Sequence, residues 1–269
     1  MLTSLNEIVP YLLCACSSES SISSNFVCDN CGRKLKTKFG IINFEKDISE
    51  LTKVESINSS TWSTWRKSNF KFISRYLPRN QKVTVLELGM GGAQFRELYS
   101  APNITYIGID YIPFEGLSIA KNLTTGIPIK SESIDIVILN NFIEHFQDTL
   151  YILNESSRVL KKSGVVIAGV PFLMQAHQVP MDYVRYTTHG LREVFRKAEL
   201  DIVEIITPCT VYETITSLIS SGLSHFPTKN FNSRVQVKII RVITAVLFYK
   251  LKSTYSDKFS IGFNILAKK

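Results

Sequence analysis

At 269 residues, with 45% hydrophobic and 20% charged residues, the chain is sized for one large α/β domain plus a small appendage and is not composed like a disordered segment. Its 31 Lys and Arg against 23 Asp and Glu give a net charge of +8, compatible with nucleic acid or an anionic membrane surface as partner and selecting neither. No run approaches the roughly 20 apolar residues that span a bilayer, and the first residues lack a basic start followed by an apolar run. A cytoplasmic location is therefore expected, with any membrane contact peripheral on the inner face.

The first module, residues 1–45, carries Cys14, Cys16, Cys28 and Cys31. The second pair, C-D-N-C-G, is a knuckle: two thiolates two residues apart, then Gly32, can point both sulfurs at one metal. A structural zinc takes four such ligands in a tetrahedron, leaving no open position for catalysis. The first pair, C-A-C, is one residue shorter than usual, so reduced, solvent-facing thiols are the competing reading. Disulfides are disfavoured in a cytoplasmic setting. F-G-I-I-N-F, residues 39–44, reads as the last strand of a small ribbon, and the polar stretch 46–60 as a linker.

The main domain, 61–269, opens with an apolar pattern of helical spacing through Trp62, Trp65, Phe70, Phe72, Ile73, Tyr76 and Leu77, ended by Pro78. This is a helix packed on a sheet, with closure of Trp62 or Trp65 over a ligand as the functional alternative. Strands are expected at 83–88, 105–109, 118–123, 134–139, 164–170, 202–206 and 260–267, and helices most clearly at 149–160 and 188–199. That alternation implies a Rossmann-like parallel sheet with helices on both faces and ligands at the carboxyl ends of its strands.

Three points of chemistry fall at those ends. V-T-V-L-E-L-G-M-G-G, residues 83–92, runs a buried strand through Glu87 into a glycine turn where a ligand can approach the main chain. Y-I-G-I-D ends the next strand on Asp110, placed to accept hydrogen bonds from ribose hydroxyls. I-D-I-V-I-L-N-N-F-I-E-H ends a third at Asn140 and Asn141 and runs on to Glu144 and His145. His145 is read here as a polar cap of the following helix. The turn is E-x-G-x-G-G-A rather than G-x-G-x-x-G and no second nucleotide-binding half is visible, which argues against NAD.

Together these motifs resemble the class I S-adenosylmethionine-dependent methyltransferases, over about residues 83–269. The resemblance implies the seven-stranded sheet of that family and an enzyme that uses S-adenosylmethionine. It assigns the cofactor's amino acid part to Glu87, Gly89, Met90, Gly91 and Gly92, and its ribose to Asp110 with the neighbouring Tyr111. K-N-L-T-T-G-I-P-I is similar to the family's adenine-side stretch, with Asn122 in place of the usual acid, followed by Leu123; Asn140 completes the set. The segment H-Q-V-P-M-D-Y-V-R-Y-T resembles a subgroup with an N-terminal cysteine ribbon and a loose association with cell-envelope polysaccharide pathways.

Methyl transfer is an in-line displacement, so holding the acceptor in line does much of the work. For a hydroxyl acceptor, His177 is the first candidate base, since imidazole titrates near neutrality. Asp182 could orient it or act itself, and Tyr183, Arg185 and Tyr186 could hold a sugar-like or anionic acceptor. The alternative is a structural lid with Asp182 paired to Arg185. An insertion at about 208–258 has a stretch, 233–252, with Val235, Ile239, Val242, Val246 and Tyr249 on one helical face and Arg234, Lys238 and Arg241 on another. Such a helix can lie on an anionic membrane, cover the acceptor pocket or pack against a second subunit. The leading expectation is O-methylation of a sugar or glycan-pathway intermediate. RNA is the second acceptor class weighed, although no aromatic and basic stacking surface stands out. A non-catalytic relative would have lost its cofactor acids, and Glu87 and Asp110 are both present.

Overall fold

The computed structural model describes residues 3–14, 16, 20–44, 48, 50–52, 62–91, 95–224 and 231–269, with the main chain alone at 224, 231–234 and 241. Most of the expected 46–60 linker, together with Gly92, lies outside the described residues.

Alternation of apolar side chains along β3 (Val83–Leu88), β4 (Ile104–Asp110) and β6 (Ile134–Asn140) builds the centre of the molecule. Leu86, Leu88, Ile107, Ile109, Val137 and Leu139 enter one core, and Val83, Val85, Ile104, Tyr106, Ile136 and Ile138 enter the other. A strand buried on both faces in this way needs a covering layer on each side. On the first face α3 (Thr149–Val159) and α4 (Thr188–Lys197) bury Ile152, Leu153, Leu191 and Phe195. On the second, α2 (Thr64–Tyr76) buries Phe72 and Ile73. Its first turn is capped by Ser63, whose side chain accepts from the Arg66 amide, so the helix starts after Trp62.

Among the described residues the sheet has nine strands where seven were expected: with β1 (Lys36–Lys38), β2 (Ile41–Asn43) and β5 (Ile119–Ala120) on one side and β7 (Leu160–Pro171), β8 (Asp201–Ile206) and β9 (Gly262–Lys268) on the other, the order is β1-β2-β5-β4-β3-β6-β7-β9-β8. It is mixed, not parallel throughout: β9 runs antiparallel to both β7 and β8. The two additional strands come from the cysteine-bearing segment. There β1 (Lys36–Lys38) and β2 (Ile41–Asn43) form an antiparallel hairpin, and β2 pairs in parallel with β5 (Ile119–Ala120). F-G-I-I-N-F thus extends the main sheet instead of closing a ribbon of its own. Ile42 is fully buried and joins the same core as Leu86 and Ile107, which gives that edge strand its anchor. The strand expected over 118–123 shrinks to two residues because Asn122 turns the chain, its side chain accepting from the Thr124 amide.

The insertion before β9 holds two helices, α5 (Val211–Ser224) and α6 (Phe231–Leu247), which pack on each other. Of the apolar face expected over 233–252, Ile239, Val242 and Val246 on α6 are more than half accessible and Val235 about a third, while Tyr249, in the short 3-10 turn that follows, is also exposed. No helix among the described residues is long and apolar enough to cross a membrane.

Candidate functional site

The carboxyl ends of β3, β4 and β6 lie side by side, with Glu87 in register with Gly108 on one side and Ile138 on the other. Gly89 then turns the chain at φ +68°, its amide donating to the Ile109 carbonyl. A Cβ at Gly89 would stand 2.2 Å from the Phe142 ring, so both its backbone angle and its surroundings require glycine. Gly91 (φ +48°) follows, and its amide donates to Asp110 Oδ2 at 3.2 Å. The Asp110 Oδ1 accepts from the Ile112 amide, so the acid is aimed back at the turn.

A cavity of about 340 Å³ opens beside this turn, lined by Arg66, Asn69, Glu87, Gly89, Met90, Gly91 and Asn140 among others. Its chemistry fits an amino acid. Arg66 offers a cation, while Glu87 offers a carboxylate that burial pushes up to about 7, against the hydrogen bond it accepts from Tyr106 Oη. Among the described residues the buried Oδ1 of Asn69 has no hydrogen-bond partner, while its Nδ2 donates to Asn140 Oδ1 at 2.8 Å. An ammonium group entering there would meet an unpaired oxygen and a buried acid. Asp110 lies one strand over, where burial raises its carboxyl against the amides that it accepts.

The remaining expected cofactor residues divide. Glu87, Gly89, Met90, Gly91 and Asn140 line the cavity. Tyr111 is 63% exposed beside Asp110, Leu123 is buried in the short turn after Asn122, and Asn122 has its side-chain oxygen committed to Thr124. The sequence reading passed over Asn69 and Arg66, which reach the cavity from α2; one helical turn separates them on one face, the available signal.

A second cavity, about 410 Å³, adjoins the first and shares Ser63, Trp65, Met174 and His177 with it. The α5 helix lines its other wall with Glu213, Thr216, Ser217, Ser220 and Ser221. Trp65 is buried between the two spaces and donates from Nε1 to Asn141 Oδ1 at 3.1 Å. Trp62 packs edge-on against Phe70 and Phe95.

The loop after β7 brings His177 to this junction. Asp182 holds it: its carboxylate accepts the His177 amide at 2.8 Å and both terminal nitrogens of Arg185. That pairing holds the Asp182 carboxyl down at about 2, chiefly through the Arg185 guanidinium. Tyr183 is exposed and its amide donates to the Glu144 carbonyl at 2.9 Å, whereas Tyr186 packs against the core beneath Gly190. The expected capping role of His145 is not seen, because α3 is capped by Asp148. Instead His145 Nδ1 bonds the Met181 carbonyl, and its ring stands edge-on to His177 with centroids 5.0 Å apart. Glu144, fully buried, faces His177 and raises its pKa through its carboxylate, against the effect of burial.

In the N-terminal segment the four cysteine sulfurs lie within 4.8 Å of one another, with Cys14 to Cys31 at 3.8 Å and Cys16 to Cys28 at 3.5 Å. Four sulfurs about 2.3 Å from a tetrahedral zinc are about 3.8 Å apart, so the donor set fits. The Cys31 amide beside the Cys28 sulfur draws that thiol down to about 6, whereas burial pushes the Cys14 thiol up to about 12, so Cys28 ionises most readily.

Residues 86–168 match the family described as "Methyltransferase domain". An uncharacterized protein of Methanocaldococcus jannaschii, MJ1123, is 28% identical over 112 residues, which are 39% of this chain and 51% of that protein; the chain thus spans about half the length of the curated relative it matches. A Haloferax volcanii structure, a complex of the Trm112 methyltransferase activator and a putative methyltransferase, superposes with TM-score 0.50 at 20% identity, covering 75% of this chain and 88% of that one. The [4+2]-cyclase SpnF superposes at 0.53 with 13% identity, covering 79% and 84%. These likenesses concern the fold.

Asp182→Asn is expected to cost on the order of 2 kcal/mol at neutral pH, because a carboxyl held low in the fold stabilises it once ionised. That contribution is complete above about pH 4, the ordinary aspartate range, and is lost as pH falls through about 2. Urea midpoints of the two proteins should therefore converge on acidification; a constant gap would remove the assignment. The glycine turn and the strand ends around it fall within or beside the stretch, residues 86–168, that matches the methyltransferase-domain family.

Proposed function

We propose that the protein is an S-adenosylmethionine-dependent methyltransferase acting on a hydroxyl of a small, polar, sugar-like acceptor, in keeping with a glycan-pathway intermediate. The observation that carries the reading is the pair of adjoining cavities with His177 in both walls. Bound S-adenosylmethionine supplies a methyl group made electrophilic by its sulfonium sulfur. Arg66, Asn69 and Glu87 complement its amino acid part, and Asp110 accepts hydrogen bonds from the ribose hydroxyls. The hydroxyl row Thr216, Ser217 and Ser220, with Glu213, suits an acceptor rich in hydroxyls. His177 meets the acceptor at the junction and activates its hydroxyl. Asp182 acts by orienting His177, since its carboxylate is committed to Arg185 and the His177 amide.

Calorimetry with S-adenosylhomocysteine tests the cofactor half of this reading. One molecule per chain is expected. Asp110→Ala should weaken binding roughly 10- to 100-fold, the loss of one or two charge-assisted hydrogen bonds. No heat from the native protein, or equal affinity in the variant, would sink the assignment.

The four clustered cysteines support a structural zinc. Metal analysis of the purified chain is expected to find a zinc that Cys31→Ser loses, together with a lower melting temperature. Zinc content identical in the two proteins would count against that site.

The exposed face of α6 supports peripheral contact with an anionic membrane. Val242, Val246 and Leu247 are 63–70% accessible, and Lys238 is exposed on the same helix. Sedimentation with anionic vesicles, reduced by salt and by Val246→Asp, is the expected outcome. Equal sedimentation with neutral vesicles, or none at low salt, would remove this contact.

A further inference from the structure

Beyond the thiolates, a second cluster has the composition of a metal site. Glu144 is fully buried, and neither of its carboxylate oxygens has a hydrogen-bond partner among the described residues. The nearest opposing atoms are His177 Nε2 at 3.5 Å and His145 Nε2 at 3.8 Å, both from Glu144 Oε1. Those separations are long for hydrogen bonds. They suit two ligands of one ion: donors about 2.1 Å from a tetrahedral metal lie about 3.4 Å apart.

Both imidazoles are oriented from behind. His145 Nδ1 donates to the Met181 carbonyl, which leaves the Nε2 lone pair free to ligate. The Nδ1 of His177 stands 3.4 Å from Asp182 Oδ2, and Asp182 is itself fixed by Arg185. A carbonyl or carboxylate behind a ligating histidine is the usual second layer of a metal centre. Among the described residues the buried ring nitrogens of His177, the Nε2 of His145 and the Glu144 oxygens have no hydrogen-bond partner. A buried carboxylate facing two imidazole nitrogens with no proton between them at good distance is a costly arrangement, and a cation placed among the three relieves it.

We propose that Glu144, His145 and His177 bind one divalent transition-metal ion at the junction of the two cavities. Two nitrogens and one carboxylate favour such an ion over Mg²⁺ or Ca²⁺, which prefer oxygen donors. Three protein ligands leave open positions, and His177 lines both cavities. With Nε2 on the ion and Nδ1 facing Asp182, His177 activates the acceptor through the metal and not as a free base: a hydroxyl reaching an open position there loses its proton to solvent more easily, the Lewis-acid effect. This role rests on the methyl-transfer reading above; the binding site does not.

The test uses the full chain, freed of loosely held metal and titrated with Mn²⁺ while free Mn²⁺ is followed by electron paramagnetic resonance. Thiolates hold Mn²⁺ poorly, so the cysteine cluster contributes little. One Mn²⁺ per chain is expected, with a rise in melting temperature. Glu144→Gln and His145→Gln should each weaken binding at least 100-fold, and Cys31→Ser should leave it unchanged. Failure of Mn²⁺, Co²⁺ and Zn²⁺ to bind beyond any thiolate-held ion overturns the proposal, as does binding that both variants retain. The S-adenosylhomocysteine titration on the same samples separates the two ideas. Cofactor heat without cation binding removes the metal site and leaves methyl transfer standing. Cation binding without cofactor heat does the reverse.

Discussion

The contact on which the rest of the site depends is that between Gly89 and the Phe142 ring. It exists because Asn141 leaves β6 at φ +50°, swinging Phe142 across the end of β3. Asn141 is held in that uncommon conformation twice, by the Trp65 indole and by its own amide donating to the Gly169 carbonyl. The turn that follows, Ile143–His145, then leads away from the glycine turn and toward the loop carrying His177. One backbone reversal thus fixes the wall of the first cavity and the position of Glu144 together.

How much of this is legible in the sequence follows from how local each feature is. The E-x-G-x-G turn and Asp110 are neighbours along two strands, and strand periodicity places their ends together. Asn69 and Arg66 come from a helix that precedes the sheet, and only packing against β9 and Asn140 brings them to the cavity. The pairing of β2 with β5 joins residues far apart in the chain through two short strands whose patterns are too brief to assign a partner. Glu144 is hardest to see from sequence. An acid in I-E-H looks like a surface residue of a helix approach, and only its complete burial beside a histidine 33 positions away marks it as different.

The fold alone does not fix the reaction, since it is shared with a protein described as a cyclase as well as with a putative methyltransferase. The distinction has to come from polarity. The cavity beside the glycine turn combines a guanidinium, a buried acid and an unpaired amide oxygen, whereas its neighbour is walled by hydroxyls. A zwitterion suits the first space and a hydroxyl-rich molecule the second. Trp65, between them, gives an apolar wall on both sides.

The N-terminal segment is not hung on the sheet by its hairpin alone. Leu12 bridges to Ile129, the Leu13 and Lys130 amides donate to Pro128 and Tyr11, and Thr84 on β3 donates its hydroxyl to Tyr11 Oη. Cys14 follows two residues after Leu12 and shares its core. Cys14, Cys28 and the strand that ends at the glycine turn therefore pack into one core. That strand is thus tied, through Tyr11 and the bridge from Leu12 to Ile129, to the segment that carries the cysteines.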